Sequence, residues 1–187
     1  VLAERLSKTE QFLEQNRKYV IGIIGALAVI VSAFFLYRYY ISNQNNQAQV
    51  DMFQAVYYFE SDSLRKALNG DGINYGFLDI IDNYSMTESA NLAHYYTGVS
   101  YLELGEYQNA IDHLSEFSSD DVAVQARAYA LVGDAYMELN DYNEAATYYQ
   151  RAANYKPNAY LTPLYLTKAA VAYEELQDYS TAAEAYA

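Results

Sequence analysis

The chain contains no cysteine. That absence excludes disulfides, thiolate metal sites, a cysteine nucleophile and a lipidated cysteine anchor together. Proline occurs only at Pro157 and Pro163, and between Gly25 and Gly70 there is neither glycine nor proline. No obvious helix breaker interrupts that stretch. Cations are scarce: 11 Lys and Arg stand against 24 Asp and Glu, for a net charge of −13. Anionic lipid headgroups and phosphate backbones repel such a chain, so no nucleic-acid partner is expected and proteins are. Neither an HExxH pair, a phosphate-binding glycine loop, a nucleophile elbow nor an EF-hand loop is present. The acidic pairs Asp120-Asp121 and Glu174-Glu175 fit a solvated turn and helix face. Asn83-Tyr84-Ser85 matches the short glycosylation triplet and carries little weight.

What the chain does have is one long apolar run, from Tyr19 to Tyr37, without a charge. As a helix its 19 residues reach roughly 28 Å, close to the hydrocarbon thickness of a bilayer. Arg17 and Lys18 precede it, and Tyr37, Arg38, Tyr39 and Tyr40 follow, as interfacial flanks do. A cleaved signal peptide has a shorter apolar region ending in a small-x-small site, whereas this run ends in Phe34, Phe35 and Leu36. A transmembrane helix over residues 18–40 is therefore predicted. Residues 1–38 hold five basic and three acidic residues, and the +2 there leaves −15 on the remainder. Arg5, Lys8, Arg17 and Lys18 precede the span, while after Arg38 the next cation is Arg65, so the positive-inside rule places the N-terminus in the cytoplasm. Residues 1–17 then form a cytoplasmic tail, residues 41–60 a helical stalk entering a first degenerate repeat, and residues 61–187 the outer domain. The chain begins at Val1 and ends in an unfinished helical pattern, TAAEAYA, so both ends are expected to be cut.

The outer domain repeats itself. GVSYLELGEYQNAIDHL from Gly98, GDAYMELNDYNEAATYY from Gly133 and AVAYEELQDYSTAAEAY from Ala170 align. Each has a small residue, then a tyrosine (Tyr101, Tyr136, Tyr173), a leucine (Leu104, Leu139, Leu176), a second tyrosine (Tyr107, Tyr142, Tyr179) and an alanine (Ala110, Ala145, Ala182). Small residues let two helices of a hairpin approach, and the first tyrosine and the leucine fill the groove between them. The pattern resembles the tetratricopeptide repeat, most completely at Gly133, Tyr136, Ala145, Tyr149, Ala152 and Pro157. The predicted fold is all-α: an N-terminal transmembrane helix followed by a helical solenoid with repeats near 91–122, 126–157 and 163–187. A weaker unit precedes them, with Ala55, Tyr58 and Ala67 at matching offsets and a break at Gly70-Asp71-Gly72. An additional helix beyond the break is expected to pack Phe77, Leu78, Ile80 and Ile81 against the solenoid.

His94 and His113 are the only histidines. His94 takes the repeat position of a large packing residue, and His113 lies beside Asp112, which cannot face it on a helix. No catalytic, cofactor-binding or metal-binding residue is predicted, and the protein is expected not to be an enzyme. If the first helix of each pair lines the concave face, the partner groove comprises Tyr95, Val99 and Leu102, then Arg127, Asp134 and Met137, then Thr167, Val171 and Glu174. This mixture suits an extended or helical peptide, or packing against a neighbouring helix. Within the span, Gly22, Gly25, Ala26 and Ala33 form a thin small-residue stripe where another membrane helix can approach.

The order of FLEQNRKYV, the span, LYRYYISNQNNQAQVDMFQAV and the repeats is similar to the YfgM-like family of bacterial inner-membrane proteins, through Phe12, Glu14, Asn16 and Lys18 before the span and Tyr37, Arg38, Tyr39, Ser42, Gln44 and Ala48 after it. The resemblance implies a single-pass inner-membrane protein with a periplasmic repeat domain. It further implies an ancillary subunit of the Sec translocon, touching the channel subunits, a PpiD-type membrane-anchored periplasmic chaperone and unfolded or emerging secretory proteins. The repeats here are much clearer than that family's, and tyrosine is abundant at 23 residues. An anchored scaffold of another envelope secretion or assembly complex is the alternative.

Overall fold

A computed structural model describes residue 10 and residues 12–187. Of the N-terminal tail, residues 1–9 and 11, Arg5 and Lys8 included, lie outside the described residues. The described residues are helical with no strand among them. By compactness the chain divides into residues 1–43 and residues 44–187. Helix α1, Arg17–Glu60, contributes to both. It is 44 residues long, as the absence of any glycine or proline between Gly25 and Gly70 allows. In the first unit its apolar side chains face outward: Ile24 is 62% and Phe35 65% exposed. A helix this long and apolar is able to cross a membrane. At Gly22 and Gly25 an added Cβ would meet nothing within 4 Å, so the small-residue stripe lies on an open face.

The second unit is built of helix hairpins. After the end of α1 come α2 (Leu64–Asn69), α3 (Phe77–Asn83), α4 (Glu88–Glu103), α5 (Tyr107–Glu116), α6 (Val122–Glu138), α7 (Tyr142–Asn154), α8 (Leu161–Glu175) and α9 (Tyr179–Tyr186). Four turns close in the same way. The amides of Ser63, Glu106, Asp141 and Asp178 donate to the carbonyls of Tyr58, Tyr101, Tyr136 and Tyr173 at 2.8–2.9 Å. The residue before each of these amides, Asp62, Gly105, Asn140 or Gln177, has positive φ. This is the left-handed cap that satisfies the last carbonyls of a helix. The four hairpins are α1–α2, α4–α5, α6–α7 and α8–α9. Side chains mark other starts: Asp121 accepts from the amides of Ala123 and Val124, and Asp178 from that of Thr181.

Within each hairpin the small residue sits where the backbones touch. A Cβ added at Gly98 would stand 2.4 Å from Leu114 Cγ, and one at Gly133 would stand 2.7 Å from Tyr149 Cε1. Tyr149 and Tyr165 are the deeply buried repeat tyrosines, at 3% and 5% exposure. Tyr101, Tyr136 and Tyr173, which the sequence pattern marks as groove-fillers, are only half-buried. The alanines Ala110, Ala145 and Ala182 are all buried, as are Ala55 and Ala67 in the first hairpin.

Helix α3 is extra to the hairpin series. Its Phe77 and Ile80 are fully buried, while Leu78 and Ile81 are half-buried. Phe77 stacks on Tyr96 of α4 with centroids 5.1 Å apart and planes 7° apart, and Phe59 meets both rings edge-on. The loop before α3 folds around Asp71, whose carboxylate accepts from the amides of Ile73 and Asn74 and from the Tyr58 hydroxyl at 2.7 Å. Between α1 and α4, Asn45 accepts from the amide and hydroxyl of Ser89, each at 2.9 Å.

Candidate functional site

Helices α4, α6 and α8, the first members of three successive hairpins, neighbour one another directly. Their shared face is where the predicted groove residues fall. At one end Arg127 of α6 lies within electrostatic reach of Tyr95 on α4 and Tyr165 on α8. Burial pushes both phenols above their usual range, and the guanidinium pulls them back. Arg127 itself is exposed and available to a ligand.

At the other end Asp134 organises the surface. Its Oδ1 accepts from the Tyr149 hydroxyl and from Lys168 Nζ, each at 2.6 Å, joining α6, α7 and α8. Leu102, Met137 and Glu138 surround it with Tyr107 and Tyr149, and together they line a pocket of about 410 Å³. The Tyr107 hydroxyl donates to Glu138 at 3.1 Å. The result is a trough lined by apolar Leu102 and Met137 and by the carboxylates of Asp134 and Glu138, with Lys168 paired to Asp134. A peptide can dock there through one apolar side chain and flanking polar contacts.

Not every predicted residue contributes. Val99 is only 8% exposed and packs on Ala110, Ile111 and Leu114, so it offers little surface to a partner. Tyr95 is half-buried against Phe117. The Thr167 hydroxyl turns back to the Pro163 carbonyl at 2.9 Å. Val171 is 40% exposed, and Glu174 lies beside the Tyr186 hydroxyl of α9. Lys168 and Tyr107 were not legible as site residues. The signal for Lys168 was its place 34 positions beyond Asp134, about one repeat length.

The two histidines face each other across the α4–α5 hairpin, Nδ1 to Nδ1 at 3.1 Å, with Tyr101 stacked on His113. One ring donates and the other accepts, so the contact requires at least one neutral imidazole. Burial holds both below the ordinary 6.5, His94 also weighs on His113, and the carboxylates of Glu116 and Asp112 act the other way. In the unfolded chain both titrate near 6.5. Below that pH the unfolded state therefore binds more protons, so the stability they confer is complete above about pH 6.5 and declines as pH falls. Denaturant midpoints measured from pH 8 to pH 5 should drop for the native chain. The drop should be smaller for His94→Gln with His113→Gln, and equal slopes would refute the assignment. Among the described residues no group of three or more acidic, histidine or cysteine side chains is placed to hold a metal.

Family models described as tetratricopeptide repeat match residues 92–120 and 126–159. These segments cover α4–α5 and α6–α7. The chain thus carries tetratricopeptide repeats, and its fold is an all-helical solenoid of that kind behind an apolar N-terminal helix. Such repeats serve as scaffolds for protein–protein interaction and typically do no catalysis. No curated protein matches the chain significantly.

Proposed function

We propose that this protein is a membrane-anchored adaptor that holds a protein partner in the α4–α6–α8 groove on the non-cytoplasmic side of a bacterial inner membrane. The supporting observation is one chain that joins an outward-facing apolar helix to a repeat groove lined by apolar and charged side chains. The charge asymmetry about the span supports the orientation. Taken with the resemblance to YfgM-like proteins, the reading becomes an ancillary subunit of the Sec translocon. Its periplasmic domain meets emerging secretory chains or docks a PpiD-type chaperone, and Gly22, Gly25, Ala26 and Ala33 supply the contact within the bilayer.

Copurification from membranes tests this reading. The intact protein should recover the Sec channel and the chaperone, and Gly22→Leu with Gly25→Leu should recover less channel. Absence of Sec components from the intact sample would remove the translocon assignment. Single cysteines at Ser42 and Ser118 should react with an impermeant reagent in intact spheroplasts; reaction only after lysis would reverse the orientation. Arg127→Glu with Met137→Glu should reduce partner recovery several-fold at an unchanged melting temperature, because Arg127 is exposed and Met137 half-buried. If that variant melts early instead, the groove residues are structural.

A further inference from the structure

The part of α1 that belongs to the second unit has two unlike faces. One is the packed face, with Ala48 and Ala55 at 0% exposure and Met52 at 7%. On the other face Val50 is 70%, Phe53 73% and Tyr57 57% exposed. Beside them the loop between α2 and α3 presents Ile73, 90% exposed, and Tyr75. Between loop and helix lies a hollow of about 470 Å³ lined by Val50, Phe53, Ile73 and Tyr75 together with the polar Asp51, Gln54 and Asn74. A protruding apolar set beside a hollow of mixed apolar and polar lining is not what a solvated helix face needs.

The spacing on the exposed face is regular. Asn46, Val50, Phe53 and Tyr57 alternate by four, three and four residues, the a/d register of a two-helix seam. The positions flanking that seam are Gln47, Gln49, Gln54 and Val56, all uncharged. Asp51 is the only charged residue between 44 and 59; it lies outside the seam, and its carboxylate accepts from the Tyr84 hydroxyl. In sequence the same register continues upstream through Asn43, Tyr39 and Leu36.

From this we propose that the exposed face of α1 beside the 71–76 loop is a self-association surface, and that it docks in parallel against the same face of a second copy of the chain. Three observations favour a second copy over an unlike partner. A patch carrying both knob and hollow is self-complementary, as a two-fold interface must be. Asn46 has both donors and an acceptor, so it pairs with its own counterpart at the seam. And a chain of net charge −13 repels its copies least along the seam and flanking positions of α1, which carry no charge, with Asp51 at the edge of the patch, whereas a basic partner would be drawn to the acidic surfaces instead. The five exposed side chains offer on the order of 600 Å² per copy, or about 1,200 Å² in total, the lower end of a stable specific interface. The parallel arrangement rests on the membrane reading above, because two anchored copies leave one bilayer in the same direction.

The absence of native cysteine makes the test direct. In the full chain purified in detergent, single cysteines at Val50, Phe53 and Tyr57 should each give disulfide-linked dimers on mild oxidation, whereas Ser118→Cys should remain monomeric. Light scattering should give twice the chain mass for the intact protein and a single chain mass for Val50→Glu with Phe53→Glu. Both side chains of that variant face solvent in the single chain, so its helicity should be unchanged. If the glutamate variant loses helicity, the cysteine variants still decide. A single chain mass for the intact protein, or cross-linking no stronger at the seam than at Ser118, would overturn the proposal; cross-linking at only one seam position would indicate an antiparallel crossing and overturn it as stated. The labelling experiment at Ser42 and Ser118 judges the membrane reading separately, so its failure leaves a doubled mass and its loss in the glutamate variant interpretable as self-association.

Discussion

Replacing Tyr149 by alanine is expected to lower the stability of the repeat domain by about 3–5 kcal/mol, as truncation of a buried aromatic does. Tyr149 is 3% exposed, and its ring lies where a Cβ on Gly133 would stand only 2.7 Å from Cε1. No neighbouring backbone is free to close on the space, since α6 and α7 already approach as nearly as glycine allows. The hydroxyl adds a second contribution through its bond to Asp134. Burial, then that bond to the carboxylate, pushes the phenol far above its usual range, so it remains a donor at any physiological pH. Tyr149→Phe should therefore cost less, about 1.5 kcal/mol, the scale of one hydrogen bond to a charged acceptor. Urea unfolding followed by circular dichroism separates the two. An alanine variant within about 1 kcal/mol of the native protein would contradict the buried, close-packed placement.

Phe77→Ala should have an effect of similar size, about 3–5 kcal/mol, but in a different place. Phe77 is wholly buried between Tyr96 and Phe59. In a solenoid each hairpin is stabilised mainly by its neighbours, so damage at one end need not unfold the other. Hydrogen exchange should show amides of residues 44–83 losing protection first, with α6 and α7 keeping theirs. Uniform loss along the chain would mean that the hairpins unfold as one cooperative unit.

Much of the fold was legible because this architecture writes residue size into sequence at fixed intervals. Gly98, Gly133 and Ala170 mark where helices of a pair touch, and Ala110, Ala145 and Ala182 mark the facing positions. The long α1 followed from the absence of breakers between Gly25 and Gly70. The surface of the site was less legible. Whether Val99 faces a groove or the core, and whether Lys168 reaches Asp134, depends on how one hairpin is rotated against the next. That rotation comes from packing of many side chains and leaves no local motif. The same reason hid the His94–His113 contact: the residues lie 19 apart, and only the closed hairpin brings them together. Tyr136 shows the converse limit, since its repeat position marked it as a filler although it is half-open while Tyr149 carries the deepest burial.

The identical closure of four turns has a consequence for how this chain can be lengthened. Because the amide-to-carbonyl bonds that end the first helix recur at Glu106, Asp141 and Asp178, each hairpin turns with the same backbone geometry. A segment running from one turn to the next is thus an interchangeable cassette. The positive-φ residues Gly105 and Asn140 bound one such cassette of 35 residues. Copying it in tandem extends the binding trough by one helix without creating a new type of junction. The length of partner the trough can span is then set by the number of cassettes, while the chemistry of each step stays with the few side chains on its first helix.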